Sequence, residues 1–133
     1  MAGTIVADDI QHSTAGSVGT EYVVQGSAKC FITFDQSTNT LNKSLNVSSV
    51  SDDAVGVFTV AFSNNFDDYQ YCNYGAADGG GTTFAVVTNA HNASYASGSY
   101  RSTSTNRSGT RNINDNALNE RTFTALAYLG DLA

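Results

Sequence analysis

Charge is what this sequence has least of. Asp, Glu, Lys and Arg make up 14% of its 133 residues, against about 25% in an ordinary globular chain. Helical surfaces are normally coated with Glu, Lys, Arg and Ala, because those side chains lose little freedom in a helix. Six Lys and Arg in all cannot coat many of them. Nucleic acid is not an expected partner either, since displacing phosphate counterions takes clustered basic residues and the formal net charge is -6 with a sequence pI near 4.4. Arg101, Arg107 and Arg111 fall close together, but no aromatic platform accompanies them, and they read as a loop carrying some charge. The two cysteines, Cys30 and Cys72, lie far apart and in no C-x-x-C pattern, which leaves metal-binding and thioredoxin-like readings without support. Two small buried thiols are the expectation, with a disulfide in an oxidising place as the alternative. No stretch approaches the length of a membrane span, and the first ten residues hold neither the basic nor the apolar region of a secretory leader. Proline and tryptophan are absent, so 7 Tyr and 7 Phe carry the aromatic content.

Ser, Thr, Asn and Gly take the place of the missing charge, and they suit turns and the exposed faces of strands. The length allows one domain with one core, burying roughly two-thirds of the surface its unfolded chain exposes. Residues 1–19 read as an N-terminal arm, with Ile5, Val6 and Ile10 weakly alternating and 12–19 a flexible connection. Residues 20–133 read as a single domain. Its clearest strand sets Ala28, Cys30, Ile32 and Phe34 against Lys29, Phe31 and Thr33, a period of two. After turn formers at 35–40, Leu45 and Val47 open a second strand ending near Val50. A turn at 51–56 joins it to a third, with Phe58, Val60 and Phe62 on one face, and 45–62 is the strongest hairpin signal in the chain. Further strands are expected over 69–74, 82–88 and 121–129, with a glycine loop at 78–81. The polar stretch 89–116 has room for one or two irregular strands, 95–103 being the better candidate, and a structureless loop that long is uncommon unless functional. In 121–129 both alternating sets are mostly apolar, which suits a central strand or one covered by a neighbouring subunit; Leu126 and Tyr128 are assigned to that seam. Short strands parted by turns, with no helical segment between them, predict an all-β antiparallel β-sandwich or jelly-roll-like domain with an extended N-terminal arm.

Catalysis finds little support. His12 lies in the arm and His91 in a polar loop, and nothing resembles G-x-S-x-G. Adjacent carboxylates at 8–9, 52–53 and 67–68 make poor acid–base dyads, because neighbours on a strand point to opposite faces. The second and third pairs fall in predicted turns, where Asp bonds the local backbone, and no EF-hand-like spacing accompanies them. The expectation is a protein without enzyme activity, cofactor or metal. The tyrosines carry more signal. Tyr69, Tyr71 and Tyr74 precede the glycine loop, and Tyr95, Tyr100 and Arg101 lie in the long polar stretch. Tyrosine with Ser, Asn and Gly is the composition of adaptable recognition surfaces. The other reading packs half of these rings in the core or at a subunit seam, and both stay open.

Four segments in order, GTIVADDIQ, GSAKCFITFD, LNVSSVSDDAVGVFTVAFSNNFDDYQY and FTALAYLGD, resemble the small fibre-type domain of tailed bacteriophages of marine and aquatic bacteria. That family shows GSAKAWVNFNGTG, then SxNVSSVTDNGTGDYTVNFTxAxxDxNY, then a closing strand ending in FGD. Residues 26–35, 45–71 and 123–131 fill those places, and the middle block is the specific part. Cys30-Phe31-Ile32 stands where Ala-Trp-Val is common, and DDAVGVFTV for DNGTGDYTV, both conservative in packing. The resemblance implies a virion structural protein, a homotrimer assembled in the host cytoplasm and serving as the head of a fibre or spike. Its loops would contact a host surface glycan or protein. It leaves open a capsid decoration (cement) protein that clamps the major capsid protein, which the arm favours, since extended N-terminal segments reach across neighbours. A virion component also reconciles the missing leader with a surface like that of extracellular β-proteins. No membrane insertion is expected.

Overall fold

Alternation sets the core. In the strands Cys30–Asp35 and Val57–Phe62 every second side chain points inward, as a two-residue period dictates. Cys30, Ile32 and Phe34 on one, with Phe58, Val60 and Phe62 on the other, are all 5% exposed or less. The computed structural model describes residues 3, 6–78, 85–89, 100–112 and 117–133, without the side chains of His12 and of 85–89. Along the chain run β1 (Asp9–His12), β2 (Gly16–Gly19), α1 (Thr20–Gly26), β3 (Cys30–Asp35), β4 (Thr40–Leu45), β5 (Val47–Ala54), β6 (Val57–Phe62), β7 (Cys72–Ala77), β8 (Ala85–Asn89), β9 (Thr105–Asn112) and β10 (Thr124–Leu129). From β3 onward they form one antiparallel sheet in the order β4-β3-β10-β7-β8-β9-β6-β5.

Four strands separate β3 from β6 in that order, yet the Phe34 and Phe58 rings meet edge to face with centroids 4.7 Å apart. The sheet therefore folds over on itself into two facing layers, the sandwich-like all-β arrangement that the alternation predicts. Its two edge strands, β4 and β5, are consecutive in the chain and joined by Asn46 alone. Asn46 has φ 56, a left-handed conformation that a short polar side chain tolerates better than most. Its Oδ1 accepts from the Asn64 amide at 2.6 Å and its Nδ2 donates to the Asn64 carbonyl at 3.0 Å. These bonds pin the corner where the chain changes layers. The strand expected from 45 to 50 is thus two strands broken at Asn46, and the hairpin turn narrows to Val55-Gly56.

Aromatic rings fill one part of the interior. Phe62 lies 4.9 Å from Phe66, 5.7 Å from Tyr71 and 5.2 Å from Tyr128, always edge to face, a geometry worth about 0.5–1.5 kcal/mol per pair beyond area burial. Another part is polar. β9 turns Asn106, Ser108 and Thr110 inward, each 0% exposed. Asn106 Oδ1 accepts from Ser108 Oγ at 2.7 Å and from the Tyr128 hydroxyl at 3.2 Å. Buried Gln36 donates from Nε2 to Thr124 Oγ1 at 2.8 Å and accepts at Oε1 from Thr110 Oγ1 at 3.0 Å. Left unpaired, each such group would cost about 1–3 kcal/mol. Pairing of this kind lets a strand with no apolar alternation sit inside the sheet. In the described part of the long polar stretch the strand is therefore 105–112; residues 90–99, with His91 and Tyr95, lie outside the described residues, as do 79–84 and 113–116.

Three further expectations change. Residues 12–19 are not a loose connection: β1 and β2 pair from Asp9↔Gly19 to His12↔Gly16, and Gly16, at φ +93, adopts a backbone open to glycine. A short helix, α1, follows where no helix is expected, its last turn held by Lys29 Nζ donating to the Val24 carbonyl. The aromatic strand expected at 69–74 begins only at Cys72, because Phe66 and Tyr71 are buried and anchor the preceding loop. Leu126 and Tyr128, assigned to a subunit seam, are interior residues of the single chain at 3% and 0% exposure. Strand β10 lies between β3 and β7, and its register, Leu126↔Ile32 and Tyr128↔Cys30, places both on the face of the β3 core residues. The outward set of β10 is Ala125, Ala127 and Leu129.

Candidate functional site

Among the described residues the candidate tyrosines do not gather into one surface. Tyr71 is a core residue at 2% exposure, its ring 4.5 Å from Phe66 and its hydroxyl donating to the Thr105 carbonyl at 3.1 Å. Tyr69 and Tyr74 are exposed, one in the loop before β7 and one on β7 itself, while Tyr100 is half-buried. Arg101 donates from Nη1 to the Tyr71 carbonyl at 3.0 Å and from Nη2 to Asn73 Oδ1 at 2.6 Å. Its guanidinium carbon lies 5.5 Å from the Tyr71 ring centroid, close enough for a cation–π contact. Arg101 thus clamps the 100–106 turn to the start of β7.

Several titratable groups serve the fold as well. Asp35 Oδ1 accepts from Ser37 Oγ at 2.6 Å, and that bond first of all holds its carboxyl below the usual value. Asp68 Oδ1 accepts from the Gln70 amide at 2.7 Å, the local backbone bond expected of a turn Asp. Asp53 Oδ2 accepts from Thr59 Oγ1 at 2.6 Å and lies 3.0 Å from Arg107 Nε. Both partners are partly exposed, so the contact is an ion pair of modest worth. Burial pushes the Cys30 thiol up to about 12 and raises the Tyr71 and Tyr128 hydroxyls, so all three stay neutral inside. Of the two thiols expected to be buried, Cys72 is exposed. It pairs with Leu129 while Cys30 pairs with Tyr128, which puts the thiols on opposite faces of the sheet, and both are free. Asp67, Asp68 and Asp131 rim a cleft at the end of the sheet. Among the described residues no three His, Cys, Asp or Glu side chains converge as a metal site would need.

What the fold builds on its outside is apolar. Register places Leu45, Phe31, Ala127 and Tyr74 in one row across β4, β3, β10 and β7, and Lys43, Thr33, Ala125 and Ala76 in the next. Gly75, Ala76, Ala125 and Ala127 make the floor of a trough of about 330 Å³, and Phe31 and Tyr74 its walls. Phe31 is 37% exposed, Leu45 49% and Tyr74 60%. Lys43 is the one charged side chain in the two rows. Part of this signal was in the sequence: Phe31 stands between polar Lys29 and Thr33 in the outward set of its strand, and 121–129 is apolar on both faces. Local pattern does not say that β3, β10 and β7 lie side by side, because that pairing joins residues remote in sequence, such as Tyr128 with Cys30 and Leu129 with Cys72. No protein-family model, no curated protein and no solved structure matches this chain.

Proposed function

We propose that this protein is a bacteriophage virion structural component that acts through its surfaces and not by catalysis, as the head module of a trimeric fibre or spike meeting a host glycan or protein. The observation behind the non-catalytic reading is the contrast between inside and outside. Cys30 is buried and neutral, and Asp35 and Asp68 are tied up in local turn bonds, while an apolar face that no described residue covers spans four strands. Exposed apolar patches of this kind mark interaction sites more often than chance. The phage assignment draws on the sequence resemblance alone. A capsid decoration protein is the second reading, favoured by the arm, whose helix α1 buries none of its residues in its own chain. Gold-labelled antibody on purified particles, with copies per particle counted alongside, tests both. A few copies at the tail or on protruding fibres support the fibre head, and hundreds over the head support decoration. Absence from particles refutes the two together.

A further inference from the structure

Two separate parts of this chain show apolar side chains that no described residue covers. One is the arm. Helix α1 is seven residues long, contains the β-branched pair Val23-Val24, has no side-chain hydrogen bond at its N-cap and buries no residue. Isolated helices shorter than about 12–15 residues are marginal in water, β-branched residues weaken them further, and a lone two-stranded hairpin such as β1–β2 is marginal too. Elements this short persist because tertiary contact holds them. Yet Tyr22 is 70% exposed, Val24 56% and Ile10 51%, and Val6, Ile10, Val23 and Val24 line a groove of their own. The other part is the trough between Phe31 and Tyr74, floored by glycine and alanine so that side chains from outside can enter it.

Charge complements the match. Residues 1–26 carry Asp8, Asp9 and Glu21 and no Lys or Arg, whereas the charged group beside the trough is exposed Lys43, which has no ion pair among the described residues. The arm does not cover the trough of its own chain. Gln25 lines the cleft with Asp68 and Asp131 at the end of the sheet, and no residue of 6–26 lines the trough. Only residues 27–29 separate α1 from β3. The Lys29 amide donates to the Tyr128 carbonyl, so the link is tied to β10 at its β3 end and leaves α1 a short tether.

We propose that the arm, residues 6–26, docks in the outer trough of β3, β10 and β7 of a second copy of this chain. The contact is heterologous, so each copy gives an arm and receives one, and copies related by rotation close into a ring. The inference goes beyond the phage reading and stands without it, because it uses only the two uncovered surfaces and their charges.

A photoreactive benzoyl-phenylalanine at position 31 tests it on the whole chain. The expected product of irradiation is a covalent oligomer on a denaturing gel whose linked peptides join position 31 to residues 6–26. Links within a single chain mean that the arm packs in cis; links from position 31 to β3 or β10 of another copy mean face-to-face pairing. Either result overturns the proposal, and so does the absence of protein links. Alongside, Phe31→Glu and Val24→Glu each weaken self-association about ten- to a hundredfold in sedimentation, while Val55→Glu, at an exposed hairpin turn that lines neither the trough nor the arm's groove, leaves it unchanged. Melting curves separate loss of association from loss of fold. A folded Phe31→Glu chain that still associates like the wild type also overturns the proposal. Particle labelling is unaffected by any of these outcomes, so failure here and failure of the phage reading are distinguishable.

Discussion

Leu126 and Ala127 are neighbours on β10, and the same substitution should act on them in opposite ways. Leu126 is 3% exposed within the hydrophobic cluster. Truncating a residue so placed costs about 2–5 kcal/mol, and a carboxylate there adds the cost of an unpaired buried polar group, about 1–3 kcal/mol or more. Leu126→Asp therefore removes about 3–8 kcal/mol, a large share of the roughly 5–15 kcal/mol that holds an ordinary domain together. The milder Leu126→Ala lowers the melting temperature by about 6–20 °C, at some 3–4 °C per kcal/mol for a chain of this size. Ala127 lies on the opposite face, at the trough floor. Ala127→Asp changes the stability of the isolated chain by no more than about 1 kcal/mol and acts on association instead. Thermal and urea melts give the first quantity, and sedimentation velocity the second. A one-residue slip turns every side chain of a strand to the other face. If Leu126→Asp melted like the wild type while Ala127→Asp unfolded, the register of β10 and the core built on it would be wrong.

Three further outcomes follow from the same geometry. Burial raises the folded-state pKa of the Cys30 thiol from 9.0 to about 12 and lifts Tyr71 and Tyr128 above the ordinary tyrosine value. Below the unfolded values both states hold these protons and stability is whole. Above about pH 9 the unfolded chain releases a proton that the folded chain keeps, so stability falls by about 1.4 kcal/mol per pH unit for the thiol alone. Urea melts from pH 8 to 11 measure the slope, and Cys30→Ala flattens its first part; a flat wild-type profile refutes the burial argument. Gly56 has φ +67, and a Cβ there would sit 2.5 Å from the Asn119 nitrogen, so Gly56→Ala costs about 1–3 kcal/mol, read as a lowered melting temperature. A thiol reagent should modify Cys72 quickly in the folded chain and Cys30 only after unfolding; two fast thiols would contradict the placement of Cys30.

The sequence revealed most where a strand alternates cleanly. β3 and β6 follow the inward sets 30-32-34 and 58-60-62, because the core on one side of each strand is apolar. β9 was hidden because its inward residues are Asn106, Ser108 and Thr110, whose burial depends on partners at Gln36, Asn119 and Tyr128 that are remote in sequence. The corner at Asn46 was hidden for a similar reason: a single left-handed residue divides what alternation alone joins. Leu126 and Tyr128 want cover, but a strand apolar on both faces does not say which face its own chain supplies. The trough was half legible, since Phe31 and the alanines of β10 are apolar at outward positions, and what remained was their meeting across β3, β10 and β7.

Sedimentation equilibrium of the whole chain, run from low to high micromolar concentration, is the most direct test that this domain works by joining copies of itself. The predicted result is a mass that is a multiple of 14.0 kDa, threefold for a closed three-membered ring, collapsing to the single-chain mass with Phe31→Glu. A folded wild-type chain that stays at 14.0 kDa across the whole range would contradict it.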